Sequence, residues 1–367
     1  VGLGVNFGSS KSVYQARVDS FRGVDFASSP VSVHMGRSPY AVNVISDLAG
    51  KPVKRTGYRL QGKLDDRING IFTLKDKSGE NILVHAGTKL YVWQRDEQGN
   101  LKSSDDVTEE VFVQIDDSMN DQRSFGIQFD EKIWILDGKR YCCYGFDDAA
   151  EEYVLKNVEE IAYVPTTKIS CNPDGTGGID FEEGNVLTKK RMNHFYVDNA
   201  NTNVKVFQLD KEELCEDVAV WAEILQEDNL WRRVDEGNGL TVDRKSGRVT
   251  FTNAPGETPK LGEDNVKIEF GWENEKESAL KINGCEFGIL YDVDGGTNRL
   301  FVSGNEAYCN YDFYSEIDDF TYFPENNYAK LGSDASKVMG YSRLSNMLVV
   351  HKESSNIDNS VFFRKGN

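Results

Sequence analysis

The residues able to carry chemistry are few, and their spacing limits what they can do. Six cysteines occur, Cys142, Cys143, Cys171, Cys215, Cys285 and Cys309, with no C-x-x-C pair and no histidine at zinc-ligand distance. Six thiols in 367 residues do not make a disulfide scaffold, so they read as reduced, buried small hydrophobes. Of the four histidines, His34, His85, His194 and His351, two (His85 and His351) fall at equivalent places of a repeat set out below. Repeats duplicate packing before chemistry, so these two read as structural. Adjacent carboxylates recur at Asp65-Asp66, Asp105-Asp106, Asp116-Asp117, Asp147-Asp148, Glu182-Glu183 and Asp318-Asp319. Neighbours on a strand point to opposite faces, so adjacency does not build a glycosidase acid and nucleophile; solvated loops are expected.

Two loops imitate ligand sites. Residues 292–298 have the oxygen density of a calcium loop but lack the twelve-residue pattern ending in Glu, and a turn rich in Asp and Gly accounts for them. Gly8-Ser9-Ser10-Lys11-Ser12 lacks the spacing of a phosphate loop. No Gly-x-Ser-x-Gly elbow and no His-Glu-x-x-His pair is present. The reading is a protein without catalytic residues, metal or cofactor. Its one candidate binding surface is aromatic: Tyr308, Tyr311, Phe313, Tyr314, Tyr322 and Phe323, set among Asn and Asp. Such rings stack on sugars or anchor subunit contacts, and they equally pack one sheet on its neighbour.

The elements that would position these residues are β-strands. Aromatics make up 11 % and glycines number 33, a profile of short strands and tight turns. A strand–turn–strand unit recurs at residues 82–93, 133–141, 300–308 and 347–364, with Gly87, Gly138 and Gly304 at three of the turns. Each is preceded by a further strand, at residues 70–74, 124–129, 287–291 and 338–342. Gly87 and Gly138 are 51 residues apart, the period of a β-propeller blade. Gly138 and Gly304 are 166 apart, which implies an insertion between the second and third units. The fold expected is mainly β: a β-propeller-like repeat domain carrying an inserted small antiparallel β-sandwich. The expected divisions are an arm at 1–60, blades at 61–165, the insertion at 166–275 and further blades at 276–367. Residues 273–283 have the most helix-like composition. A closed propeller needs more than four blades, so the chain is expected to be a fragment or processed product.

Charge sorts with these divisions. The total is −18, but residues 1–60 hold 8 Lys/Arg and 3 Asp/Glu, or +5, leaving 34 basic and 57 acidic residues, or −23. So acidic a body repels nucleic acid. No apolar run approaches a membrane span, so a soluble protein made in a cytoplasm is expected. Prolines 30, 39 and 52 prevent long elements in the basic stretch, and Arg22, Lys51, Lys54, Arg55 and Arg59 are interface candidates for an acidic neighbour.

The segments Phe21-Arg22-Gly23-Val24-Asp25, residues 37–44 (Arg-Ser-Pro-Tyr-Ala-Val-Asn-Val) and residues 50–58 (Gly-Lys-Pro-Val-Lys-Arg-Thr-Gly-Tyr) resemble the start of phage tail nozzle and packaged-DNA stabilisation proteins. Thr56 stands where that family often has proline. Residues 186–191, 301–305, 310–315 and 322–324 resemble structural proteins of phages of Gram-positive bacteria. The resemblance implies a structural protein of the virion tail or neck, assembled in the host cytoplasm as a homo-oligomeric ring, typically a hexamer. It also implies portal, adaptor and tail proteins as partners, no membrane, and transient non-specific passage of DNA through an acidic lumen. The alternative reading is a receptor-binding or adhesin module for host cell-surface glycan. A propeller glycosidase would need two carboxylates a few ångströms apart in a funnel, which no motif singles out.

Overall fold

The computed structural model describes residues 17–57, 60–77, 79–96, 98–102, 111–273, 278–292 and 297–365, in two compact units divided after Gln61. The chain is mainly β, with 45 % of residues in strands and 3 % in helix.

In the first unit, β1 (Val44–Ser46) and β2 (Pro52–Lys54) pair antiparallel, and a single parallel bridge joins Val24 to Ser38. The Asp47 carboxylate closes their turn by accepting from the Ala49 and Lys51 amides. Most described side chains here are exposed, because the prolines and the lack of apolar alternation leave little to bury.

The second unit opens with two four-stranded meanders. The first blade is β3 (Ile68–Asp76), β4 (Gly79–Ala86), β5 (Lys89–Trp93) and β6 (Phe112–Asp116). The second is β7 (Phe125–Phe129), β8 (Lys132–Leu136), β9 (Tyr141–Asp147) and β10 (Glu152–Asn157). The turns at Gly87 and Gly138 join second to third strands, both with the positive φ that glycine tolerates. Fully buried Asp137 caps the second turn, accepting from the amides of Lys139 (2.9 Å), Arg140 (2.7 Å) and Asn120 (2.9 Å).

The insertion is one sheet of nine strands: β11 (Thr166–Cys171), β12 (Gly177–Asp180), β13 (Lys190–Phe195), β14 (Val206–Gln208), β15 (Trp221–Leu225), β16 (Trp231–Glu236), β17 (Gly239–Asp243), β18 (Arg248–Phe251) and β19 (Val266–Gly271). Their spatial order is β12-β11-β13-β19-β15-β16-β17-β18-β14. The sheet curls into a half-barrel, bringing its edge strand β14 back over β13: the Phe195 and Phe207 rings meet edge-on at 5.2 Å. Its core therefore has the two facing walls of a sandwich, made from one sheet. Two joins, β11 with β13 and β16 with β17, are parallel. Alternation shows which residues face inward but not which strands pair, so the curl and the parallel joins lie beyond it.

Helix α1 (Leu280–Asn283) returns the chain to the repeat. The third blade is β20 (Phe287–Asp292), β21 (Asn298–Ser303), β22 (Tyr311–Tyr314) and β23 (Tyr328–Lys330). The fourth is β24 (Val338–Leu344), β25 (Met347–Lys352) and β26 (Val361–Lys365). First strands of successive blades are neighbours, and each pair of blades shares an apolar core. Phe72, Leu74, Leu83 and Leu90 meet Ile133, Ile135, Cys142 and Tyr144 between the first two blades. Trp134, Leu136 and Tyr141 meet Leu300, Val302 and Phe313 between the second and third. Phe301 and Tyr291 meet Val338, Leu348 and Val350 between the third and fourth.

Glycine lets the first strands approach so closely. A methyl group on Gly126 would enter the Phe72 ring of the preceding blade, and one on Gly288 would lie 3.3 Å from the Phe125 ring of the preceding blade. Gly126→Ala is expected to lower unfolding stability in urea by about 1–3 kcal/mol through overpacking. An unchanged midpoint would mean that Phe72 moves aside without cost.

Candidate functional site

The first strands of blades two, three and four border a cleft of about 440 Å³. Phe125, Phe287, Met339 and Tyr341 give it apolar walls, and Arg123, Glu286, Glu306 and Lys337 surround them, all four exposed. The charged side chains recur because each first strand is entered through a charged residue: Arg67, Arg123, Glu286 and Lys337 stand two or three positions before Gly70, Gly126, Gly288 and Gly340. Among the described residues no group of three His, Cys, Asp or Glu is placed to hold a metal ion.

Beside the cleft, the third and fourth blades share a buried ionic cluster that sequence reasoning missed. Asp312 on β22 is fully buried, accepts from the Tyr341 hydroxyl at 2.8 Å, and has Arg364 Nη2 3.2 Å from Oδ2. That guanidinium is not aligned for a hydrogen bond to Oδ2, and it also lies 5.0 Å from the centres of the Phe301 and Tyr314 rings. Burial pushes the Asp312 carboxyl up to about 6, against the opposing pull of Arg364 and Tyr341. One strand over, the buried Lys352 ammonium donates to the carbonyls of Leu331 (2.6 Å) and Ser333 (2.8 Å) and to Asp358 Oδ2 (3.0 Å). Asp358 also accepts from the amide and hydroxyl of Ser333 and from Ser336, and the Ser333 amide leads in holding its carboxyl well below the usual range. No local pattern announces these groups, since their partners lie on other strands.

The histidines serve packing in the first blade. Buried His85 donates from Nε2 to the Gly87 carbonyl at 2.9 Å, which leaves Nδ1 to accept from Ser124 at 2.8 Å, at the entry to the second blade. Burial pushes its pKa down. His351 occupies the matching position on β25 and meets Ser342 at 2.7 Å. His194 on β13 is pushed down to about 4, mainly by burial. Five of the six cysteines are buried and Cys309 is half-buried; burial raises the Cys142, Cys143 and Cys285 thiols, which weakens them as nucleophiles. Several paired carboxylates have structural partners: Asp116 with Arg140 at 2.9 Å, Asp147 with Lys156, and Glu182 with the Thr166 amide at 2.6 Å. Asp105-Asp106, residues 293–296 of the calcium-like loop and Gly8–Ser12 lie outside the described residues.

The aromatic set divides. Phe313, Tyr322 and Phe323 are buried and are no surface: Phe313 and Phe323 pack in the core between blades two and three, and Tyr322 donates to the Glu183 carbonyl. The 320–324 loop that carries Tyr322 and Phe323 is fastened by Asn185, whose side chain donates to the Tyr163 and Thr321 carbonyls and accepts from the Leu187 and Phe323 amides. Tyr308, Tyr311 and Tyr314 remain half-buried. Tyr311 stacks on Phe313 and lies 5.4 Å from exposed Tyr328, with Lys330 Nζ 5.0 Å from its ring centre. Of the interface candidates, Arg22, Lys51, Lys54 and Arg55 are exposed in the first unit, where the Phe21 amide bonds the Gly50 carbonyl and draws Arg22 toward the β1–β2 turn; Arg59 lies outside the described residues.

No protein-family model matches the chain, and no curated protein matches it.

The Asp312 cluster sets a pH dependence whose sign is opposite to that of most carboxylates. Its folded pKa lies above the unfolded value of 3.8, so between these the native state binds the extra proton, and stability falls as pH rises from 4 to 6. The fall amounts to about 3 kcal/mol at most. Urea unfolding of Asp312→Asn should lack this component, so the difference from the parent should grow in the variant's favour from pH 4 to pH 6.5. A difference that stays flat across this range would place the Asp312 titration elsewhere.

Proposed function

We propose that this protein is a non-enzymatic structural component of a tailed-bacteriophage virion. Several copies assemble as a ring in the tail or neck, contact portal, adaptor and tail proteins, and help retain and deliver the genome. The observation that carries this reading is the sorting of charge and burial between the two units. The first carries +5 and exposes Phe26, Val31, Tyr40 and Leu48 beside Arg22, Lys51 and Lys54, while the rest of the chain carries −23. A basic segment that buries so little cannot offset the entropy of its own ordering, and gains burial and charge neutralisation on an acidic partner surface. The blades support the same reading, since their buried titratable groups are engaged in packing and capping rather than gathered around a reactive centre.

A second reading, a glycan-binding module, is favoured by the half-exposed ladder of Tyr308, Tyr311 and Tyr328 with Lys330, where sugar rings would stack. Native mass spectrometry with and without neck proteins separates the two. The virion reading expects a ring, or ring formation on an adaptor, and expects Lys51→Glu/Lys54→Glu to weaken assembly roughly tenfold or more. A monomer that ignores neck proteins but binds cell-wall glycan transfers the support to the second reading.

A further inference from the structure

The insertion leaves and rejoins the repeat at one place. Residues 186–189 lead into β13, and after β19 the chain returns through α1. Between these two passages lies a cavity of about 610 Å³, whose walls are completed from the repeat by Glu159 and Tyr308. Small-molecule sites collect at such junctions, and the volume falls within their usual range.

One polar group in the cavity wall has no partner. Asn283 closes α1, is 7 % exposed, and donates from Nδ2 to Glu159 Oε1 at 2.5 Å. That bond fixes the amide's orientation, because turning it over would set Oδ1 against a carboxylate. Oδ1 is therefore an acceptor, and it is buried without a donor among the described residues. A buried acceptor left in this state destabilises the fold, so the position calls for a donor from outside the chain. A single water would supply one, but a water takes up only about 30 Å³ of so large a space.

The lining also limits what the ligand can be. Its charged groups are two ammonium groups, Lys189 and Lys190, and two carboxylates, Glu159 and Glu273, which leave no net charge. Lys189 Nζ already lies 3.4 Å from Asp217 and 3.3 Å from Glu273. Such a wall fits an uncharged ligand better than a phosphate or an amine. Beside these groups stand the half-buried Tyr308 ring and Leu280, which is 71 % exposed. A molecule that carries hydroxyl donors and acceptors around a ring with apolar C–H faces matches both kinds of wall. Tyr308 also begins the aromatic ladder: its ring meets Tyr311 edge-on at 5.2 Å, and Tyr311 lies 5.4 Å from Tyr328. We propose that the cavity is a subsite for one neutral sugar unit, whose hydroxyl donates to Asn283 Oδ1, in a glycan that continues over this ladder. The inference deepens the glycan-binding reading given second above and rests on it for the source of the sugar.

The test follows the Asn283 side-chain amide by NMR in ¹⁵N-labelled full-length protein, its signal assigned by its loss in Asn283→Asp. The probes are glucose, galactose and N-acetylglucosamine, with purified cell-wall polysaccharide measured separately by sedimentation. At least one of the three sugars should move the Asn283 signal to saturation. Leu280→Trp, at an exposed position, narrows the cavity and should weaken that binding at least tenfold without lowering the melting temperature. Tyr328→Ala should leave it unchanged while weakening the polysaccharide. An Asn283 signal that none of the sugars moves overturns the subsite, as does a Leu280→Trp variant that binds as the parent does. Polysaccharide binding that is lost in Tyr328→Ala but kept in Leu280→Trp removes the subsite and leaves the glycan reading standing. A sugar that saturates the Asn283 signal in a protein indifferent to cell-wall polysaccharide keeps the subsite and removes that reading.

Discussion

The architecture of the second unit depends on how closely the first strands of successive blades can run. Successive sheets bring these strands nearer than ordinary side chains permit, and the sequence answers with Gly70, Gly126 and Gly288, while Gly340 at the matching position of the fourth blade meets no neighbour within 4 Å. The neighbouring blade then fills the space. Phe72 occupies what Gly126 vacates, and Ser124 sits where Gly70 has no side chain and is held there by His85. Removing the side chain at one place makes the adjacent aromatic packing possible, so backbone spacing and core composition are a single constraint.

The polar groups between blades obey the same economy. Asp137, Asn185 and Lys352 are buried, and each holds a turn or loop that would otherwise leave backbone groups without partners. Asp312 is the exception. Its oxygen toward Arg364 is poorly aligned, its charged form is disfavoured, and the pair stands between the third blade and the last strand. A buried ion pair of this kind is weak support for stability but demands one register, because a slip of one residue on β26 would turn Arg364 away from Asp312.

Much of the repeat is legible in the sequence because its marks are local. The first three strands of blades one and two follow from β-branched and aromatic runs broken by Gly87 and Gly138, and the first strands from a glycine inside such a run. In blade three the return expected after Gly304 is instead a 3-10 turn at Glu306–Tyr308, and the third strand begins at Tyr311. Outer strands are not legible in the same way: β23 is only three residues, and β10 mixes Glu, Lys and Asn with its apolar positions. In the insertion, β13 (Lys-Arg-Met-Asn-His-Phe) and β16 (Trp-Arg-Arg-Val-Asp-Glu) look polar because one face of the half-barrel meets solvent. Their pairing is settled by tertiary contact rather than propensity. The aromatic cluster shows the other limit: Tyr311 and Phe323 belong to the same residue class, and the contact that ties the Phe323 loop down comes from Asn185, more than a hundred residues away.

The same economy limits the reactivity of the buried thiols and of His85. A nucleophile or base needs a proton equilibrium near the working pH and open access, and here burial drives Cys142 and Cys285 up and His85 down while closing them off. Exposed apolar side chains lie instead in the basic first unit, at Phe26, Val31, Tyr40 and Leu48. Apolar groups held outside a core cost stability unless another surface covers them, so the first unit gains most from a partner that meets its apolar and basic side chains together.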